Sequence, residues 1–252
     1  MRFGIVSDIH ANLEAFDAVL GEIDAAEVDA LLCLGDIVGY GPNPNECCDR
    51  LRERNCIAVA GNHDEAAVTG AGADFFNPVA REALEWTQGI LTPRNIDYLK
   101  TLPRDRRFDG PAAGGLAGGF ALVHGAPVFH FDYVLDVLDA QRAFERIEAP
   151  LTFIGHTHVA EVYYQDVEGR AYQQKLLHGG RIDLVPSFRY LINPGSVGQP
   201  RDHNPQASFA LLDTSVNAVE VRRVSYDVSV VQERIEHVHL PAQLGTRLAT
   251  GY

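Results

Sequence analysis

Eight side chains able to bind a cation or move a proton recur along this sequence: Asp8, His10, Asp36, Asn62, His63, His124, His156 and His158. All offer oxygen or imidazole nitrogen, and none is a thiolate. A single histidine is more often structural than a ligand, and a carboxylate near a strand is often a cap or an ion-pair partner. The joint pattern carries the argument. A core gains nothing from burying several charges and imidazoles together, whereas metal ions make that arrangement favourable. Four donors fill one tetrahedral site. Without His63 there are seven donors, which two ions use better. Asp36 is the natural bridge, because a carboxylate can give one oxygen to each ion. Two ions about 3.5–4 Å apart form a clamp for displacement at phosphorus. They also lower the pKa of a bridging water, so that hydroxide is available near neutral pH to attack phosphorus. These donors suit Mn, Fe, Zn, Co or Ni, with Mn or Fe the first expectation.

Each group of donors follows a short apolar run. Ile5-Val6-Ser7 leads into Asp8-Ile9-His10, and Leu31-Leu32-Cys33-Leu34 into Gly35-Asp36. Ala58-Val59-Ala60 leads into Gly61-Asn62-His63-Asp64, and Ala121-Leu122-Val123 into His124-Gly125. Thr152-Phe153-Ile154 leads into Gly155-His156-Thr157-His158, and Leu191-Ile192 into Asn193-Pro194-Gly195-Ser196. Such runs, closed by turn residues, predict buried strands. Donors gathered at the C-terminal ends of strands are where open α/β sheets place their sites. Gly stands beside most of them and permits sharp turns next to a ligand.

The 252 residues, 46% of them hydrophobic, show no linker-like composition shift, so one domain spanning 1–252 is expected. A net charge of −13 disfavours nucleic acid and anionic membrane as partners. It leaves open a small phosphate ester or nucleotide, since bound cations reverse the local sign. The N-terminus enters a strand at once, without the pattern of a signal peptide, and no apolar run is long enough to span a bilayer. Cys33, Cys47, Cys48 and Cys56 form no CxxC pair and read as reduced thiols of a cytoplasmic chain. The oligomeric state has no signature.

Asn12 is placed to cap a helix whose apolar face is Leu13, Phe16, Val19, Leu20 and Ile23. The Gly-Pro loop 37–44 leads to a helix over 45–54. Asn77-Pro78 and Thr92-Pro93 are helix-start signals, so the region near 65–105 reads as a helical insertion beside the site, with Trp86 and Tyr98 in its core. Nothing in its sequence demands that it act as a lid. Residues 110–119 are rich in Gly and Ala but match no phosphate-loop spacing. A helix over 139–148, with Phe144 and Ile147 inward, precedes short strands at 162–164, 171–177, 209–212 and 219–224. These predict hairpins that supply much of a second sheet. A helix over 228–236 and a weakly patterned tail follow.

Taken as an ordered set from Asp8 to His158, these motifs resemble the calcineurin-like metallophosphoesterases. The loop Gly35-Asp36-Ile37-Val38-Gly39-Tyr40-Gly41-Pro42-Asn43-Pro44 is similar to that of the small bacterial and archaeal branch with phosphodiesterases and diadenosine-tetraphosphatase-like proteins. So is the stretch from Asn193 to Arg201. The resemblance implies a four-layer αββα sandwich, an α/β (α+β) fold of two mixed β-sheets flanked by helices, in agreement with the strand pattern. It implies that Asp8, His10, Asp36 and His158 hold one ion, and that Asp36, Asn62, His124 and His156 hold the other. His63, held by Asp64 or a neighbour, would then stabilise or protonate the leaving group.

The chain departs from the protein Ser/Thr phosphatases of that superfamily. It lacks the phosphate-gripping Arg after the second strand, and Asp64 stands where they carry Glu. A phosphoprotein substrate is therefore disfavoured. Arg201, Asn62 and Tyr40 are the expected substrate contacts, and Asn43, His130, Tyr133, Ser196 and His203 have weaker claims. The expected function is a two-metal hydrolase of phosphate esters, with a phosphodiester or dinucleoside polyphosphate ahead of a small-molecule phosphomonoester. A metal-binding scaffold without catalysis is the alternative class, and the intact donor set argues against it. A nuclease would call for a basic groove that the charge does not provide.

Overall fold

The computed structural model describes residues 1–127 and 131–252. In chain order the strands are β1 (Arg2–Val6), β2 (Ala30–Cys33), β3 (Ile57–Ala58), β4 (Asp105–Phe108), β5 (Phe120–Val123) and β6 (Leu151–Phe153). There follow β7 (Ala160–Gln165), β8 (Ala171–Lys175), β9 (Gly180–Asp183), β10 (Arg189–Pro194), β11 (Ala207–Asp213) and β12 (Ala218–Val224). The helices are α1 (Leu13–Ala25), α2 (Pro44–Glu53), α3 (Asn62–Thr69), α4 (Pro78–Ile90), α5 (Pro93–Lys100), α6 (Val137–Phe144), α7 (Val228–His237) and α8 (Ala242–Thr246).

The strands form two six-stranded sheets, ordered β3-β2-β1-β11-β12-β9 and β4-β5-β6-β10-β7-β8. In the first, β1, β2 and β3 run parallel and the rest antiparallel. In the second, β5, β6 and β10 run parallel, with antiparallel strands on both sides. Both sheets are mixed, as expected.

Alternation along the strands explains the layers. Phe3, Ile5, Leu32 and Leu34 of the first sheet meet Phe120, Leu122, Phe153 and Ile192 of the second in one core. The Phe3 and Phe120 rings meet edge-on at 5.2 Å. Val6, Cys33 and Phe209 point the other way and pack against Phe16, Val19 and Leu20 of α1. On the outer face of the second sheet, Val123, Ile154 and Leu191 meet Ala140, Ala143 and Phe144 of α6. Each large side chain so buried contributes about 1.5–3 kcal/mol.

The cap signals operate as read. Asn12, Asn77 and Thr92 accept the amides of Ala15, Ala80 and Asn95 at 3.1, 3.0 and 3.3 Å. The insertion is helical, and Trp86 and Tyr98 pack into its apolar clusters. All four cysteines are free. No helix among the described residues is long and apolar enough to cross a membrane.

Three features differ from the sequence expectation. The last third does not build one sheet: β7 and β8 extend the second, while β9, β11 and β12 extend the first, with Ala210 of β11 opposite Ile5 of β1. Strands β4 and β9 carry little apolar pattern because both are sheet edges with mostly exposed residues. Helix α6 lies earlier than expected. The Asp136 carboxylate accepts the amides of Leu138 and Asp139 at 2.8 and 3.0 Å, and the Phe144 carbonyl accepts from Arg189 at 2.6 Å.

Candidate metal centre

The parallel strands of both sheets deliver their following residues to one rim. Asp8 and His10 follow β1, Asp36 follows β2, and Asn62 begins α3 just after β3. His124 follows β5, and His156 and His158 follow β6. Asp8, His10, Asp36 and His158 each offer a donor atom, all within 4.8 Å of one another. Asp36, His124 and His156 form a second such group. Asn62 joins it, with Oδ1 3.2 Å from His124 Nε2. The two sets are those the resemblance implied, and they share Asp36.

The spacing tests whether cations fit. Donors about 2.1 Å from a common centre lie about 3.0–3.4 Å apart at angles between a right angle and the tetrahedral value. His158 Nε2 lies 3.3 Å from Asp8 Oδ1 and 3.1 Å from His10 Nε2. His124 Nε2 lies 3.2 Å from His156 Nδ1 and 3.3 Å from Asp36 Oδ2. The hydrogen bonds behind the rings settle their tautomers. The Nδ1 atoms of His10, His158 and His124 face the carbonyls of Val38, Gln199 and Leu34 at 3.1, 2.6 and 2.9 Å. A carbonyl only accepts, so Nδ1 carries the proton and Nε2 presents a lone pair. In the first cluster two imidazole lone pairs and two carboxylates therefore converge, an arrangement that a cation completes.

The electrostatics agree. Burial pushes His10 and His158 well below the ordinary imidazole range, and His156 down to about 3. All three rings are thus neutral and able to bind metal. Burial also opposes a proton on His124, but Asp36 and Asp8 outweigh it and hold that group up at about 9. A second proton on His124 then does what a cation would do. Burial raises Asp8 to about 6. It acts on Asp36 in the same sense, yet the surrounding imidazoles, His124 foremost, hold Asp36 well below the usual carboxylate range. Asp36 departs from the expected one oxygen per ion. Its Oδ2 alone faces both clusters, 3.6 Å from His10 Nε2 and 3.3 Å from His124 Nε2. Its Oδ1 accepts the His63 amide at 2.8 Å.

The backbone here is strained. Asp8, His10, Asp36, His156 and His158 have φ of 52°, 46°, 51°, 71° and 60°, a left-handed region that costs non-glycine residues about 1–3 kcal/mol each. Surrounding bonds hold them in it. The amides of Asp8 and His10 donate to the carbonyls of Gly35 and Asp36 at 3.0 and 2.9 Å. The Asp8 carbonyl accepts from Ser196 Oγ at 2.8 Å and the Gly198 amide at 2.9 Å. Two neighbouring glycines serve for a different reason than the expected freedom to turn. A Cβ on Gly61 would lie 2.1 Å from Asp36 Oδ1, and one on Gly155 2.1 Å from Ser7 Oγ. Strand ends from different parts of the fold meet there with no room for a methyl group.

His63, Asn62, Tyr40 and Arg201 line a cleft of about 380 Å³ together with Asp36, His156 and His158. The expected substrate contacts therefore face the donors. Phe75, Phe76 and Asn77 bring the helical insertion to the same cleft. The His63 ring packs 4.5 Å from those of Tyr40 and Phe76, and its Nδ1 is buried without a partner among the described residues. Burial pushes its pKa down to about 4. Asp64 does not hold this ring as expected. Its carboxylate accepts three backbone amides, those of Ile37 at 2.9 Å, Val38 at 3.1 Å and Gly61 at 3.0 Å. It pins the loop after β2 to the start of α3 instead, and burial raises it to about 7.

Among the weaker candidates, Tyr133 lines the cleft and stacks on His156 at 4.0 Å. Asn43 instead bonds Arg234 at 3.2 Å, and His203 packs 5.5 Å from Tyr252. Ser196 holds the Asp8 carbonyl, and His130 lies outside the described residues. Sequence reasoning missed Gln199, which holds His158, and Arg247, whose Nη1 reaches the Gln199 side chain at 3.1 Å. Arg247 sits in the weakly patterned tail, where no local signal marks it.

This donor set predicts a thermal signature. Adding Mn to chelator-stripped protein at about 100 times its Kd stabilises the fold by about 2.7 kcal/mol for each ion. For 252 residues that is roughly 5–11 °C in Tm. A Tm unmoved by Mn, Fe and Zn alike contradicts the site.

Comparison with known proteins points the same way. A family model described as the calcineurin-like phosphoesterase superfamily domain matches residues 1–217. An uncharacterized protein of Methanocaldococcus jannaschii is 37% identical over 256 residues, spanning 98% of this chain and 97% of its own length. The crystal structure of a metallophosphoesterase from Sphaerobacter thermophilus superposes with a TM-score of 0.84 at 39% identity, covering 100% of both chains. A hypothetical protein from Pyrococcus horikoshii OT3 shares the fold at 21% identity, with a TM-score of 0.79 over 100% of this chain and 98% of its own.

Proposed function

Because this chain belongs to the calcineurin-like phosphoesterase superfamily, we propose that it is a two-metal hydrolase of small phosphate esters in the cytoplasm. A phosphodiester or dinucleoside polyphosphate is its preferred substrate. The observation that carries the reading is Asp36 Oδ2, set between His10 Nε2 and His124 Nε2 so that one carboxylate oxygen joins two complete donor clusters. Asp8, His10, Asp36 and His158 would hold one ion, and Asp36, Asn62, His124 and His156 the other. Divalent cations there, with Mn or Fe first, supply positive charge to the phosphoryl oxygens and lower the pKa of water.

The remaining roles belong to the chain itself. The carbonyls of Val38, Gln199 and Leu34 keep three imidazoles in the ligating tautomer. His63 is neutral at neutral pH and has one N–H to offer the leaving oxygen, with Tyr40 and Phe76 fixing its ring. The Arg201 guanidinium, 5.7 Å from the centre of the Tyr40 ring, faces the cleft and suits a phosphoryl oxygen. The net charge of −13 supports a small substrate over nucleic acid.

The test is turnover after chelator stripping and Mn restoration, on a para-nitrophenyl phosphodiester beside its monoester. Diester turnover that requires metal is the expected result. Monoester turnover alone would redirect the substrate class. Turnover unchanged after loss of both metal equivalents would end the two-metal reading. Silence on these esters and on dinucleoside polyphosphates, with two ions bound, would leave a metal-binding scaffold.

A further inference from the structure

Segment 242–252 completes a second recess beside the cleft. Leu244 and Leu248 pack with Tyr40, Ala80 and Val231. An open groove of about 1220 Å³ lies between them and the insertion, lined by Tyr40, Asn77, Val79, Arg247 and Tyr252 among others. Tyr40 and Asn77 also line the cleft that holds His63 and Arg201, so the two recesses meet there.

Two arginines converge at that junction. Arg201 Nη2 and Arg247 Nη1 donate to the same oxygen, Gln199 Oε1, at 3.0 and 3.1 Å. Their nitrogens can be no farther apart than the sum of those distances. Among the described residues neither guanidinium pairs with an aspartate or glutamate side chain. Arg2, Arg50 and Arg234, by contrast, each find an acid, as a chain with 34 acidic and 21 basic residues readily allows. Arg201 Nε is buried without a partner among the described residues. Arg247 Nε is tied to the main-chain oxygen of Tyr252 at 2.6 Å. Burial and the neighbouring Arg201 push the Arg247 guanidinium below its ordinary pKa. Two cations held on one neutral acceptor repel each other, and an anion with several oxygens relieves that repulsion by taking the guanidinium N–H groups that Gln199 and Tyr252 leave free.

We propose that Arg247 and Arg201, joined through Gln199, form a second anion site that takes the phosphoryl group next to the one hydrolysed. The chain thereby selects polyphosphate substrates, dinucleoside polyphosphates among them, over esters with a single phosphorus. This rests on the hydrolase reading for its biological sense but not for its test. Arg247 lies beyond residue 217, where the family match ends, so the site joins Arg201 and Gln199 of the matched region to a residue of the segment that follows it.

The experiment has two readouts on wild type, R247A and R247Q. R247Q removes the charge and keeps a polar amide on a side chain two atoms shorter, so it decides the matter if R247A fails to fold. The first readout is calorimetric titration of ADP into chelator-stripped protein at low salt. The second is the ratio of kcat/KM for diadenosine tetraphosphate to that for a para-nitrophenyl phosphodiester in the Mn-loaded protein. The expected result is ADP binding weaker by tenfold or more, and a ratio lower by tenfold or more. ADP binding by R247Q equal to wild type, or an unchanged ratio, overturns the proposal. Loss of ADP binding in R247Q without hydrolysis of any ester would remove the hydrolase reading and leave the anion site standing. Equal ADP binding alongside metal-dependent hydrolysis would do the reverse.

Discussion

Asp36→Asn lowers metal-dependent phosphodiester turnover by about a thousandfold or more and reduces tightly bound metal from two equivalents to at most one. The substitution keeps the size of the side chain and removes its charge. Among the described residues no other donor stands in both clusters. Its Oδ2 reaches His10 Nε2 and His124 Nε2 at 3.6 and 3.3 Å, distances that leave room for a cation on either side. An amide oxygen is a poor bridge between two divalent ions, so one of them is released or shifted. A clamped pair supplies several kcal/mol of transition-state stabilisation, and each 1.36 kcal/mol is tenfold in rate. The mutation also weakens the bond to the His63 amide, which accepts nothing and needs Oδ1 at its 2.8 Å. The check is metal content by elemental analysis beside kcat. A variant with two equivalents and turnover within tenfold of wild type would remove Asp36 from the bridging role.

His63→Ala costs about a hundredfold on a para-nitrophenyl ester and up to about ten-thousandfold on an ester with an alkoxide leaving group, the range open to general acid–base catalysis. The difference between the two esters is the informative quantity. Nitrophenolate departs without a proton, whereas an alkoxide needs a donor. The His63 ring is positioned for donation. Its backbone amide is fixed on Asp36, its face is held by Tyr40 and Phe76, and its Nδ1 has no partner to satisfy among the described residues. With its pKa pushed down to about 4, the imidazole is neutral through the physiological range. It therefore offers one hydrogen bond, and nearby cations only strengthen that preference. Metal content should stay at two equivalents, because His63 is outside both donor groups. Equal losses on the two esters would turn His63 from a leaving-group donor into a packing residue.

The donors were legible because each stands immediately after a short apolar run, and strand ends concentrate chemistry wherever parallel strands share a rim. The ring tautomers were not legible, since they depend on carbonyls of Val38, Leu34 and Gln199 supplied from distant parts of the chain. Asp64 misled for a related reason. A carboxylate beside a histidine in sequence suggests a hydrogen bond between them, yet at the start of α3 it accepts the Gly61 amide and two loop amides instead. The pairing of β11 with β1 has no local signature, because Ala210 and Ile5 meet only through the closure of the whole first sheet. Edge strands β4 and β9 escape notice because one solvated side removes the apolar alternation that marks a strand. At Gly61 and Gly155 the glycine was visible and its reason was not, because crowding by Asp36 and Ser7 exists only in three dimensions.

Gln199 stands with its carbonyl on His158 Nδ1 at 2.6 Å and its side-chain oxygen on Arg201 and Arg247. One residue thus belongs to two equilibria. If seating the loop around it for a cation also seats it for a polyphosphate, thermodynamic reciprocity makes the two effects equal in size. A nucleotide that tightens the hold on metal by a given factor has its own affinity raised by that factor when metal is present.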